Sequence, residues 1–190
     1  PRSCAISSLV YGGETDCQYG CLGDGDCVAV CDFDAMYMNE ETGLYDTKKA
    51  IVLRDILQKM LQTFLDAQFP QVAGELEVVA LTDDGLTVKL KVQDQHLRPG
   101  GTVWGPSMFL LADVAVYLAI LARLGPVALA VTTSCAMDFM RKPAAGADLI
   151  CEARLLKLGR VLAVGDAMIH SAGQAAPVAR ASMTYSIPPK

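Results

Sequence analysis

The chain has 190 residues, of which 52% are hydrophobic but only 6% aromatic, and carries a formal net charge of −5. That length supports one domain with a sizeable aliphatic core, or one domain plus a small module. No basic patch with interleaved aromatics is present, which argues against nucleic acid, and the first residues lack a charged-then-apolar leader pattern, which points to the cytoplasm.

The charge is unevenly spread. Residues 1–49 hold nine acids against three bases, leaving twelve acids and thirteen bases for 50–190. Cys4, Cys17, Cys21, Cys27 and Cys31 lie before that boundary, and only Cys135 and Cys151 after it. Two composition shifts at one place predict two units, 1–49 and 50–190. In the first, Cys17, Cys21, Cys27 and Cys31 are interleaved with Gly20, Gly23 and Gly25. Glycine lets the backbone fold tightly round an inorganic centre and aim amides at its sulfurs, and in a reducing compartment such a cluster binds metal more often than it forms disulfides. The spacing departs from the common bacterial iron–sulfur run, yet an acidic, glycine-rich cluster favours iron–sulfur over zinc.

From Ile51 to Gln68 apolar residues recur at 53, 56, 57, 60, 61, 64 and 65, the pattern of an amphipathic helix that Pro70 ends. Glu75–Leu81 and Leu86–Val92 read as strands about the turn Thr82-Asp-Asp-Gly85. A Gly/Pro-rich approach loop from Arg98 then leads into an apolar run, which predicts a helix over 106–124 buried on all sides and closed by Gly125-Pro126. The run is shorter than the roughly 20 residues a membrane span needs, and Asp113 interrupts it. A carboxylate there must be paired, protonated or in use, because desolvating an unpaired charge is costly. Strands are predicted over Val127–Met140, Asp148–Leu156, Val161–His170 and Val178–Ile187, giving an α+β domain with an antiparallel sheet wrapped round a central helix.

An electrophilic carbonyl at the start of the central helix would meet backbone amides and the positive end of the helix dipole, with Asp113 as general base or nucleophile. Arg141, Lys142, Lys157 and Arg160 are candidate phosphate contacts, and Cys135 and Cys151 read as small buried hydrophobes. No His is paired with a Ser or Cys in a triad pattern, so a triad hydrolase is not expected.

Two resemblances sharpen this. Residues 3–48, running from Leu-Val-Tyr-Gly-Gly-Glu-Thr-Asp-Cys-Gln-Tyr-Gly-Cys through to Asp-Phe-Asp-Ala-Met, resemble the electron-carrier B subunit of the Rnf complex. That implies a ferredoxin-like segment able to hold a 4Fe–4S cluster, though the second cysteine run of a ferredoxin is missing. Residues 51–188 resemble the hotdog-fold acyl-CoA thioesterases of the phenylacetic-acid-degradation type. The resemblance rests on His96-x-Arg98-x-x-Gly101-x-x-Trp104-Gly105, Leu110-Leu-Ala-Asp113, Val131-Thr-Thr-Ser, Phe139-Met-Arg-Lys-Pro143 and Lys157-Leu-Gly-Arg160. It implies Asp113 as the catalytic carboxylate and Gly105 as the oxyanion glycine. It further implies a homodimer or homotetramer with sites between subunits, in which Thr132 or Thr133 comes from the partner to hold the water. His96, Arg98 and Trp104 join the substrate-binding candidates; Arg98, Trp104 and Pro106 stand where the family usually has Asn, His and Gly. Two other readings stay open: an iron–sulfur electron-transfer protein with the body as scaffold, and a non-catalytic acyl-CoA binder.

Overall fold

The computed structural model describes residues 36–38, 41, 45–47, 50–125 and 129–188. Cys17, Cys21, Cys27 and Cys31 lie outside the described residues, and with them the iron–sulfur expectation. The chain forms two compact units, Pro1–Ile56 and Leu57–Lys190. In the first, β1 (Met36–Met38) pairs antiparallel with β2 (Tyr45–Thr47). Helix α1 (Ala50–Gln68) follows and contains the division between the units.

The second unit carries β3 (Leu76–Leu81), β4 (Gly85–Leu90), a 3-10 turn at Asp94–His96, the two-residue strands β5 (Leu97–Arg98) and β6 (Thr102–Val103), and helix α2 (Gly105–Leu124). Four long strands complete it: β7 (Val131–Phe139), β8 (Leu149–Leu158), β9 (Leu162–Ser171) and β10 (Pro177–Ser186). They form one six-stranded sheet in the order β3-β4-β8-β9-β10-β7, every pairing antiparallel. The main sheet and its central helix stand as predicted. The approach loop is more structured than its Gly/Pro content suggests: β5 and β6 pair as a miniature hairpin, with Gly100 and Gly101 at φ 98° and 72° in its turn.

Helix α2 lies across the inner face of the sheet. Leu111, Val116, Leu118 and Ile120 are fully buried there beside Leu86, Val88, Leu90, Leu149 and Ile169. At Gly165 an added Cβ would stand 2.9 Å from Val116 Cγ1 of the helix and 3.1 Å from Arg154 O, so the close approach there favours a glycine. At 20 residues α2 is long and apolar enough to cross a membrane, but two thirds of its apolar window is buried inside the fold, as in the core helix of a soluble domain. Because Leu118 is wholly enclosed, Leu118→Ala is expected to cost about 2–5 kcal/mol, read as a lower urea midpoint at unchanged slope.

Contrary to the expectation from sequence, helix α2 is not buried on all sides. Pro106 and Phe109 are exposed, and Leu110 and Asp113 only half-buried; together they form an i, i+3, i+4, i+7 stripe that the sheet does not cover. Apolar composition alone could not reveal this, because the open stripe is itself apolar except for Asp113.

The two edges of the sheet differ. Along β3, Gln58 and Gln62 of α1 bind the edge backbone: Gln58 Nε2 donates to Val78 O at 2.7 Å, and Val78 N donates to Gln62 Oε1 at 2.8 Å. That edge is occupied. The β7 edge has no such cover among the described residues, and Leu129, Val131, Phe139 and Met140 stand exposed on and beside it.

Candidate active site

Asp113 sits where the open stripe of α2 meets the last strands of the sheet. Two hydroxyls converge on one oxygen of its carboxylate. Thr132 Oγ1 on β7 donates to Asp113 Oδ1 at 2.5 Å, and the Tyr185 hydroxyl on β10 lies 2.6 Å from the same Oδ1. That hydroxyl is also 2.7 Å from the backbone carbonyl oxygen of Asp113. Among the described residues nothing binds Oδ2. A carboxylate held in this way can take a proton from water at its unoccupied oxygen.

Thr132 reaches Asp113 because β7 is irregular. Cys135 faces Met183 and Thr132 faces Tyr185 across the β7–β10 pair, with a register shift between Thr184 and Tyr185. Simple alternation back from the inward Cys135 would turn Thr133 inward and Thr132 outward. The extra residue of the bulge reverses that and brings Thr132 onto the inner face. Thr133 is left exposed, its hydroxyl donating to Thr184 O at 3.1 Å. Thr132 therefore holds the Asp113 of its own chain, a contact absent from the expectation, which gave a partner's threonine to the water.

Tyr185 is 2% exposed and stacks on Tyr117 at 6.3 Å between ring centroids. Burial, and after it the Asp113 charge, pushes its phenol far above the ordinary range, so at working pH it is a neutral donor. Cys135, on the same inner face, is likewise pushed up, first by burial and then by Asp113. A thiol held protonated in this way is no nucleophile.

The second feature lies at the start of α2. Trp104 occupies the N-cap position but offers no oxygen to cap the helix, and Pro106 has no N–H. The amides of Gly105 and Ser107 are thus the donors that the first turn presents. Gly105 packs against Phe139, whose Cζ would lie 3.1 Å from any Cβ added there. Beside it opens a cleft of about 460 Å³ that brings together Arg98, Gly105, Met108, Phe139, Arg141 and Lys142. Of the basic candidates, then, Arg98, Arg141 and Lys142 share one cleft with Gly105.

The remaining candidates are elsewhere. Lys157 ends β8 and Arg160 lies in the turn to β9, at the far end of the sheet from this cleft. Trp104 is 43% exposed next to the stripe. His96 is not a substrate group: it is 4% exposed, its Nδ1 accepts from the Gln93 amide at 2.9 Å, and its Nε2 is 3.2 Å from Glu75 Oε2. With Nδ1 accepting, the proton sits on Nε2 and points to Glu75, so both nitrogens serve to pin the approach loop. Among the described residues no group of three His, Cys, Asp or Glu side chains converges as a metal site.

Comparisons with known proteins bear on the family and the fold. A model of the thioesterase superfamily matches residues 100–185. A candidate esterase of Pseudomonas aeruginosa is 32% identical over 103 residues, covering 54% of this chain and 75% of that protein. The crystal structure of a candidate thioesterase from Silicibacter sp. TM1040 is 59% identical, covers 70% of this chain and 92% of its own, and superposes with a TM-score of 0.66. A mutant of the phenylacetic acid degradation protein PaaI from Thermus thermophilus is 32% identical, covering 63% of this chain and 99% of its own at a TM-score of 0.55. The chain belongs to the thioesterase superfamily, and its body is a hotdog-fold thioester hydrolase. A separate, short similarity is to the B subunit of the Na(+)-translocating ferredoxin:NAD(+) oxidoreductase complex of Acetobacterium woodii, 47% identical over 38 residues. It covers 20% of this chain and only 11% of that protein.

Proposed function

We propose that the body is an acyl-CoA thioesterase acting as a homodimer, each site combining Asp113 of one copy with the Gly105 amides of the other. One observation carries this: Asp113 and Gly105 stand at opposite ends of β7. Asp113 is tied to Thr132 and Gly105 touches Phe139, seven positions apart and so about 23 Å along an extended strand. Along α2 the two residues are eight positions, or about 12 Å, apart. A base, its water and the oxyanion donors must all meet one carbonyl at about 3 Å contacts. A single chain does not bring them together.

Two copies do so if their open β7 edges pair antiparallel. With the two-fold at Cys135, Thr132 of one copy lies opposite Asp138 of the other, next to the Phe139 that touches Gly105. The exposed Val131, Phe139 and Met140 would then be covered, and Lys157 and Arg160 of one copy would come toward the basic cleft of the other. In that site Asp113 Oδ2 takes a proton from water as the oxygen attacks the thioester carbon. The amides at the start of α2 stabilise the oxyanion; on collapse the C–S bond breaks and the coenzyme A sulfur leaves with the proton that Asp113 held. Arg98, Arg141 and Lys142 bind the coenzyme A phosphates.

The test is release of free thiol from a panel of aliphatic and aromatic acyl-CoAs, with the oligomeric state read by light scattering. No release from any thioester, with coenzyme A still bound, would favour the non-catalytic binder; a monomer at full activity would exclude the shared site. Removing both Arg141 and Lys142 as alanines is expected to raise KM about tenfold or more at nearly constant kcat, the effect shrinking as salt rises.

The four-cysteine cluster of the head favours a second reading. Its all-thiol donor set suits a 4Fe–4S cluster, and the match to an electron-carrying subunit falls on a segment of this length. Iron content and visible absorption of anaerobically purified protein decide it; a colourless, iron-free protein leaves the head without that role. A reducing, cytoplasmic setting is consistent with both readings.

A further inference from the structure

We propose that Tyr185 is the positioning residue for the Asp113 base, and that it fixes which carboxylate oxygen does the chemistry. This rests on the thioesterase reading given above. Tyr185 and Thr132 both address Oδ1, from neighbouring strands, at 2.6 and 2.5 Å. A lone Asp on the half-open face of a helix turns freely about its terminal torsion, which is broad and roughly two-fold, so its two oxygens exchange. Two donors on one of them end that exchange and leave Oδ2 as the oxygen presented to water.

The phenol is suited to the task by its surroundings. It is buried, stacked on Tyr117, and placed opposite Thr132 across the strand pair. Its single proton is shared between Oδ1 and the Asp113 backbone oxygen, which ties the phenol to the helix as well as to the side chain.

The experiment is steady-state hydrolysis of one good acyl-CoA by wild type, Tyr185→Phe, Asp113→Asn and the double variant, each checked by thermal melt. If Tyr185 acts through Asp113, Tyr185→Phe lowers kcat about 10- to 100-fold with KM within twofold. Added to Asp113→Asn, the Tyr185 change has little further effect on rate. A Tyr185→Phe enzyme with unchanged kcat, while Asp113→Asn is inactive, overturns the positioning role and leaves the base intact. An active Asp113→Asn enzyme sinks the base reading itself. If Tyr185→Phe does not fold, a series of fluorotyrosine-substituted proteins of increasing phenol acidity is used instead: kcat should change progressively along the series with KM unmoved, and a flat kcat overturns the proposal.

Discussion

Asp113→Asn is expected to lower kcat for thioester hydrolysis by about 10²–10⁴-fold while coenzyme A still binds. The substitution keeps shape and volume. Because Tyr185 and Thr132 are both donors at one oxygen, they select the amide oxygen of Asn for that place and turn its NH2 to the water, where it can only donate. The variant thus loses the base without losing the scaffold around it. Coenzyme A affinity should survive because Arg98, Arg141 and Lys142 lie in the other cleft, beside Gly105. Thiol release gives the rate and calorimetry the affinity. A variant retaining more than a tenth of the wild-type rate would mean that another group activates the water.

The second large effect is a recovery. Gly105→Val should be inactive by itself, since even a Cβ there would stand 3.1 Å from Phe139 and the branched side chain would crowd the cleft and its amides. Mixed with Asp113→Asn under conditions where dimers exchange, half of the dimers become mixed. In each of those, one site receives both damaged parts and the other neither. Activity should therefore return to about a quarter of wild type from two inactive parents. If base and amides serve one site within a single chain, mixing restores nothing. The same experiment separates a shared site from a merely dimeric protein, because dimerisation alone gives no rescue.

Much of this is legible in the residues. The apolar run with one carboxylate identifies the central helix and singles out Asp113 as the candidate base, because an acid in such a run demands a reason. Arg98, Arg141 and Lys142 stand out as charges and meet in one cleft. Other features leave no such mark. Tyr185 reads as an ordinary inward aromatic of an alternating strand, and its link to Asp113 crosses 72 positions of sequence. The choice between Thr132 and Thr133 depends on a bulge that no residue type signals. His96 reads as a ligand-facing loop histidine, whereas burial and two partners make it a fastener. The open stripe on α2 is hidden because an exposed apolar stripe has the same composition as a core.

The bulge in β7 has a consequence for how such a chain can vary. A strand has parity: odd residues to one side, even to the other, for its whole length. One inserted residue at Thr133 resets that parity for the short segment before it and leaves the long segment after it unchanged. Deleting it would scarcely shorten the strand and would leave Thr132 opposite Tyr185, now in plain alternation with Cys135. Keeping it but ironing out the bulge would put Thr133 in that place instead. Either way a threonine hydroxyl faces the carboxylate, so the pair of threonines makes the held acid insensitive to loss of this one codon.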